Sequence, residues 1–141
     1  MSLSQLIYTS TCTAEMTPRM SHLMALQSVN ICQRYGLTGR VLVIPEKAMN
    51  IIEGPAPIVK AYVHAIRSDS LIGMLAIHDE RALTAREFED YAVWMSYKPA
   101  VAMRGVYHLT AERFQDALPS NVSVKTRLTI ADNFRLDSVA A

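Results

Sequence analysis

Few residues in this chain are of a type and spacing that could do chemistry. Two cysteines, Cys12 and Cys32, stand twenty positions apart in the sequence, outside any metal-ligand spacing, so reduced thiols are the default expectation. The histidines His22, His64, His78 and His108 are scattered and form no His-x-x-x-His pair. His78-Asp79-Glu80 reads as a solvated turn. The chain has no Gly-x-Ser-x-Gly elbow, no glycine loop for phosphate and no paired carboxylates with a partner that can be placed. No catalytic residue is assigned, and the chain is not read as an enzyme. What remains is a set of polar residues inside apolar runs: Tyr8 in Leu6-Ile7-Tyr8-Thr9-Ser10, Asn50 and Glu53 in Asn50-Ile51-Ile52-Glu53-Gly54-Pro55, and Ser28 and Cys32 on one helical face. Such groups hold a ligand or satisfy one another; they do not turn a substrate over.

The elements that position them follow from pattern. Gln5 to Ser10 reads as a first strand. Thr17-Pro18 is a helix start, with a hydroxyl at the cap and proline at the first helical position, and Gly36 is its stop. Met20, Leu23, Met24, Gln27 and Ile31 form one stripe on this helix, while Met24, Ser28 and Cys32 line a single face. Val41 to Ile44 suits a central strand, Pro45-Glu46-Lys47 a hairpin turn and Ala48 to Glu53 the return strand. A second helix is expected from Ala56 to about Ser68, burying Ile58, Val59, Tyr62, Val63 and Ile66. Leu71 to Ile77 is the next strand. Thr84-x-x-Glu87 fits a capping box and suggests a short helical turn. The last strand falls within Tyr91 to Tyr97.

This order, β-α-β-β-α-β-β, is that of a ferredoxin-like α+β sandwich with an added strand and both helices on one sheet face. The other face needs a cover. Thr110 to Leu118, with Phe114 and Leu118 on one side, and Ser123 to about Leu136, with Val124, Leu128 and Ala131 at helical spacing, are two helical candidates separated by Pro119-Ser120-Asn121. They are expected to fold back onto the sheet or to meet a partner. The division is residues 1–98 as the domain and 99–141 as a helical extension. A chain of 141 residues, half of them hydrophobic, can bury such a core. Its formal charge of +1, without a charged run, gives no case for nucleic acid or a membrane surface. Met1 to Gln5 lacks the layout of a signal peptide and no apolar run approaches the ~20 residues of a membrane span, so a cytoplasmic location is expected.

Leu6-Ile7-Tyr8-Thr9-Ser10, Gly36-Leu37-Thr38-Gly39 and Asn50-Ile51-Ile52-Glu53-Gly54-Pro55 together resemble one family over about Gln5 to Tyr97: the BLUF domain, a flavin-based blue-light sensor of bacteria. The resemblance implies FAD between the two helices, held by a strand-one tyrosine, a strand-three glutamine and a helix-one asparagine. Tyr8 matches the tyrosine. The glutamine position holds Asn50, one methylene or roughly 1.5 Å shorter, where a hydrogen bond tolerates a few tenths of an ångström. The asparagine position holds Cys32, whose thiol is a weak donor and acceptor. Ser28 suits the flavin-facing surface.

After the second helix the family's Asp-x-Arg-His is Asp69-Ser70-Leu71-Ile72 here, which keeps only the aspartate. In the switch strand, Tyr91 and Val93 stand where the family has tryptophan and methionine; Trp94 follows directly, and a slipped register would restore part of the pattern. At ~1 kcal/mol for each lost neutral hydrogen bond, and more for charged ones, the combined loss is on the order of a thousandfold in affinity. The expectation is a short BLUF-family sensory and signalling module that works through protein–protein contacts or self-association as a homodimer. Its FAD is expected to be absent or weakly bound and its light response lost or altered, with no metal. The alternative is a functional FAD-binding photoreceptor with noncanonical site residues.

Overall fold

The computed structural model describes residues 2–99 and 103–134. Among these residues the chain runs β1 (Leu3–Cys12), α1 (Pro18–Tyr35), β2 (Thr38–Val43), β3 (Ala48–Pro55), α2 (Ala56–Arg67), β4 (Ile72–Leu83), β5 (Tyr91–Met95), β6 (Val106–His108), α3 (Phe114–Ala117) and α4 (Val124–Asn133). The strands make one six-stranded sheet in the order β4-β1-β3-β2-β5-β6. Pairs β1–β3, β1–β4 and β2–β3 are antiparallel; β2–β5 and β5–β6 are parallel. This is the expected ferredoxin-like α+β arrangement, extended at the β2 side.

Local chemistry sets the limits of α1. The Thr17 hydroxyl accepts from the Met20 N–H at 3.1 Å, Pro18 occupies the first turn, and Gly36 at φ 69° ends the helix in the left-handed region. Gly39 has φ 145°, and a Cβ there would lie 1.8 Å from the Ile51 carbonyl oxygen, so β2 approaches β3 as closely as it does only with glycine at this position. Each sheet face carries its own core. Leu6, Tyr8, Val41, Ile52, Val93 and Met95 pack under α1 and α2; Ile7, Leu42, Met49, Ile51 and Trp94 pack under Leu109, Leu118, Val122, Ile130 and Phe134 of the C-terminal segment. The tail therefore covers the second face, as the pattern implied.

Several expectations are corrected. The buried side of α1 is Ser21, Ala25, Val29 and Cys32, while Leu23 and Ile31 of the expected stripe are exposed. Small residues let the helix lie close to the sheet, and this outweighs the larger side chains' hydrophobicity. β4 extends six residues past Ile77, because it pairs with β1 as far as Leu3. Thr84 to Glu87 forms no helical turn; the Glu87 side chain is captured by tertiary partners instead. β6 was not anticipated, and the helix expected over Thr110 to Leu118 shrinks to α3. On α4, Val124 and Leu128 are exposed and Ala131 faces out, while Thr126 and Ile130 are buried. The expected end of that helix near Leu136 lies outside the described residues.

A buried polar clamp joins the sheet to α4. Glu53, fully buried on β3, accepts from the Glu87 and Phe88 N–H groups through Oε1 at 2.9 and 3.0 Å, and from the Gln5 amide through Oε2 at 2.8 Å. The Arg81 Nε donates to Gln5 Oε1 at 2.9 Å, and its Nη2 pairs with Glu87. Thr126 of α4 donates to Glu87 Oε1 at 2.8 Å, and Ser123, which caps α4, accepts from Arg81 at 2.9 Å. Burial raises the Glu53 carboxyl above its ordinary value of 4.5, an effect only partly offset by the hydrogen bonds it accepts. Burial also pushes Glu87 upward, but hydrogen bonds from Thr126, Ser123 and Gln5 outweigh that, and its carboxyl lies below the ordinary value.

Two outcomes follow. Gly39→Ala is expected to destabilise the fold by about 3 kcal/mol or more, combining backbone strain with the clash; urea unfolding within ~0.5 kcal/mol of wild type would contradict the close approach. For Glu53, a raised folded-state value means its contribution is most favourable below 4.5 and is lost as pH rises through the raised value. Glu53→Gln removes that loss. Relative to wild type, the variant's urea midpoint should therefore improve between about pH 4.5 and 7; a difference independent of pH would show that Glu53 does not titrate abnormally.

Candidate functional site

Tyr8 and Asn50 are directly opposite in the β1–β3 pairing, so their side chains emerge on the same face, toward α1 and α2. Ser28 of α1, Tyr62 and Ile66 of α2 and Val93 of β5 complete the walls of a cleft of about 110 Å³. Pro45 to Lys47 of the β2–β3 turn also line it. Tyr8 is 1% exposed, and burial raises its hydroxyl well above the ordinary tyrosine value. The Asn50 amide nitrogen turns back onto the strands. It lies 3.3 Å from both Ser10 Oγ and the Ala48 carbonyl, and 3.5 Å from the Tyr8 carbonyl. Its donors are used within the sheet rather than across the cleft.

Beside this cleft sits a cluster the sequence reading did not assemble. Tyr62, expected only as part of an apolar helix face, packs in one cluster with Cys32 and Tyr91 and lines the cleft together with Ser28. Burial pushes the Cys32 thiol up to about 11 and raises the Tyr62 and Tyr91 hydroxyls as well. All three groups are neutral near pH 7. A neutral thiol among desolvated phenols is neither a nucleophile nor a metal ligand, and no metal-holding group of His, Cys, Asp and Glu exists among the described residues.

The sequence-derived candidates are thus brought together only in part. Tyr8, Ser28, Asn50 and Val93 line the cleft; Cys32 and Tyr91 share its side of the sheet. Asp69 is exposed and accepts from the Leu71 N–H at 2.9 Å, closing a turn after α2, and is not among the residues that line the cleft. Trp94 pairs with Leu42 in register and points to the opposite face. There its ring lies 4.9 Å from that of Tyr107 and under the Arg113 guanidinium. The slipped register that would bring Trp94 into the cleft does not occur. The clamp residues Gln5, Arg81, Glu87 and Thr126 went unread because they are far apart in sequence.

The cleft, at about 110 Å³, is smaller than the ≈ 300 Å³ or more of pockets that enclose drug-sized ligands. The residues at the positions that the resemblance gives to the flavin amides do not reproduce them: the Asn50 amide is engaged with the strands, and Cys32 is a thiol.

Comparison with known proteins bears on the scaffold. The family model described as BLUF, sensors of blue-light using FAD, matches residues 3–94. No curated protein sequence matches the chain. Among solved structures, BlrP1 BLUF superposes with a TM-score of 0.67 at 16% identity, covering 96% of this chain and 95% of that one. The dark state of the BLUF protein BlrB gives 0.59 at 23% identity, covering 67% and 71%. A bacterial light-regulated adenylyl cyclase gives 0.61 at 20% identity, covering 66% of this chain. The chain spans about a quarter of that cyclase, 27% of its length. At these identities the likeness is one of fold.

Thiol titration checks the cluster. In the native protein near pH 8, Cys12, half-buried at the end of β1, should react with an aromatic disulfide reagent, whereas Cys32 should react at least a hundredfold more slowly until the chain is unfolded. Equal native rates would mean that Cys32 is not enclosed as described.

Proposed function

The chain belongs to the BLUF family, and from that membership we propose that it is a sensory and signalling module acting through protein contacts, with flavin binding and blue-light response lost or altered. The observation that carries this reading is the cleft of about 110 Å³ whose Asn50 donors are spent within the sheet. Tyr8, Ser28, Cys32, Asn50 and Asp69 stand at the family's cofactor positions, and Tyr91, Val93 and Trp94 in its switch strand. Of these cofactor positions, Tyr8 and Asp69 carry the residue type the family has there, while Asn50 and Cys32 do not. The family's usual readout runs through the last strands and the C-terminal helices, and those parts are intact: residues 99–141 supply β6, α3 and α4, clamped to the sheet through Glu87 and Thr126.

A module of this kind works with a partner. The light-regulated cyclase supports this, since the part of it that resembles this chain is a minor fraction of its length. On this reading the partner is an effector protein, or a second copy of the chain, in the cytoplasm. The second reading, a working photoreceptor with a noncanonical amide, is favoured by one observation: Tyr8 and Asn50 remain directly paired across β1 and β3.

Purified protein should lack the visible absorption of flavin, and added FAD should bind no more tightly than ~10 µM. A yellow protein whose band shifts to the red on illumination would establish the second reading instead.

A further inference from the structure

Ser21 is 4% exposed, lines the cleft, and its hydroxyl has no hydrogen-bond partner among the described residues. A buried hydroxyl left unpaired is costly, and native proteins rarely tolerate one without a ligand or water. The lining is mostly apolar, with Met24, Ala25, Ile66 and Val93 on it, and its other uncharged polar groups include Ser10, Ser28 and Asn50. The rings of Tyr8 and Tyr62 flank the same space. The charged side chains of the lining are both on the β2–β3 turn: Glu46 is exposed, and the Lys47 ammonium donates to the Asn133 carbonyl, while the helix and strand residues of the lining carry no charge to neutralise an ion. The volume, about 110 Å³, approaches the ~150 Å³ apolar cavity that takes up benzene.

We propose that the cleft between α1, α2 and the sheet receives a neutral, single-ring aromatic molecule bearing one hydrogen-bonding group, which pairs with the Ser21 hydroxyl. The inference rests on the reading that the site no longer holds flavin, and it changes the module's input from light to a small molecule. A planar ring suits walls formed by two tyrosines and the Met24 thioether, which favours the edge of an aromatic ring. A ligand carboxylate or ammonium would be buried without a counter-charge and is excluded by its desolvation. The ligand's polar group supplies what Ser21 lacks, and its ring replaces contacts that the lining side chains do not make with one another.

The test uses the full chain, with phenol and toluene as probes and FAD as a separate titrant, read by ligand-observed NMR and by the shift in thermal midpoint. Phenol should bind saturably and about fivefold or more tighter than toluene, the worth of one neutral hydrogen bond. Ser21→Ala should abolish that preference while leaving toluene binding in place. Met24→Trp, at a half-exposed position in the wall, should fill the space and remove both. Absence of saturable phenol binding to the folded wild type, as when Ser21 merely holds a water, overturns the inference. Binding insensitive to both substitutions does so too. If neither phenol nor FAD binds, this inference fails and the reading of a lost flavin stands; if FAD saturates the protein, it is that reading which fails.

Discussion

A single fully buried carboxylate sets much of this structure. Glu53 sits on β3, two strands in from the β4 edge, and water cannot reach it. A charge in that position must be met by donors, and the donors it finds are the main-chain N–H groups of Glu87 and Phe88 and the amide of Gln5. Holding those N–H groups shapes the connection between β4 and β5. That connection in turn aims Tyr91 and Val93 at one sheet face and Trp94 at the other. Arg81, Glu87, Ser123 and Thr126 continue the same network into α4. Sheet, β4–β5 connection and C-terminal cover are therefore joined through one set of hydrogen bonds, of the kind that specifies one arrangement more than it adds stability.

The two sides of the sheet have diverged under this common frame. The α4 side retains a fully partnered polar clamp beside a dense apolar core. On the α1–α2 side, two phenols and a thiol are buried beside the cleft: Tyr62, Cys32 and Tyr91 pack in one cluster, and Asn50 bonds to its own strands. The outcome is a small, mostly apolar cleft on one face of a BLUF scaffold and a C-terminal cover on the other.

What the sequence disclosed was whatever local chemistry decides. Thr17-Pro18 and Gly36 bound α1, the apolar runs place β2, β3 and β5, and Tyr8 and Asn50 are recognisable from their strand context. What it hid depends on distant partners. Glu87 looks like half of a capping box until Arg81 and Thr126 claim its side chain. β4 looks short because its second half is charged, yet pairing with β1 carries it to Leu83. β6 is three residues long and exists through its parallel pairing with β5. The stripes on α1 and α4 were rotated for a shared reason: small or polar residues, Ser21 and Ala25 on one helix and Thr126 on the other, sit against the sheet, and the larger apolar side chains Leu23, Val124 and Leu128 turn outward. Ser21 and Tyr62 carried no signal at all, since each reads as an ordinary helical residue until the cleft is seen.

The central claim is that the cleft is closed to an isoalloxazine by its own side chains. A crystal structure of the chain grown in saturating FAD tests it most directly. The account predicts Tyr62, Cys32 and Tyr91 in mutual contact, Asn50 bonded to Ser10 and Ala48, and no ring density between α1 and α2. A flavin ring lying between those helices, with the Asn50 amide turned toward it and Tyr8 within hydrogen-bond reach, would contradict it.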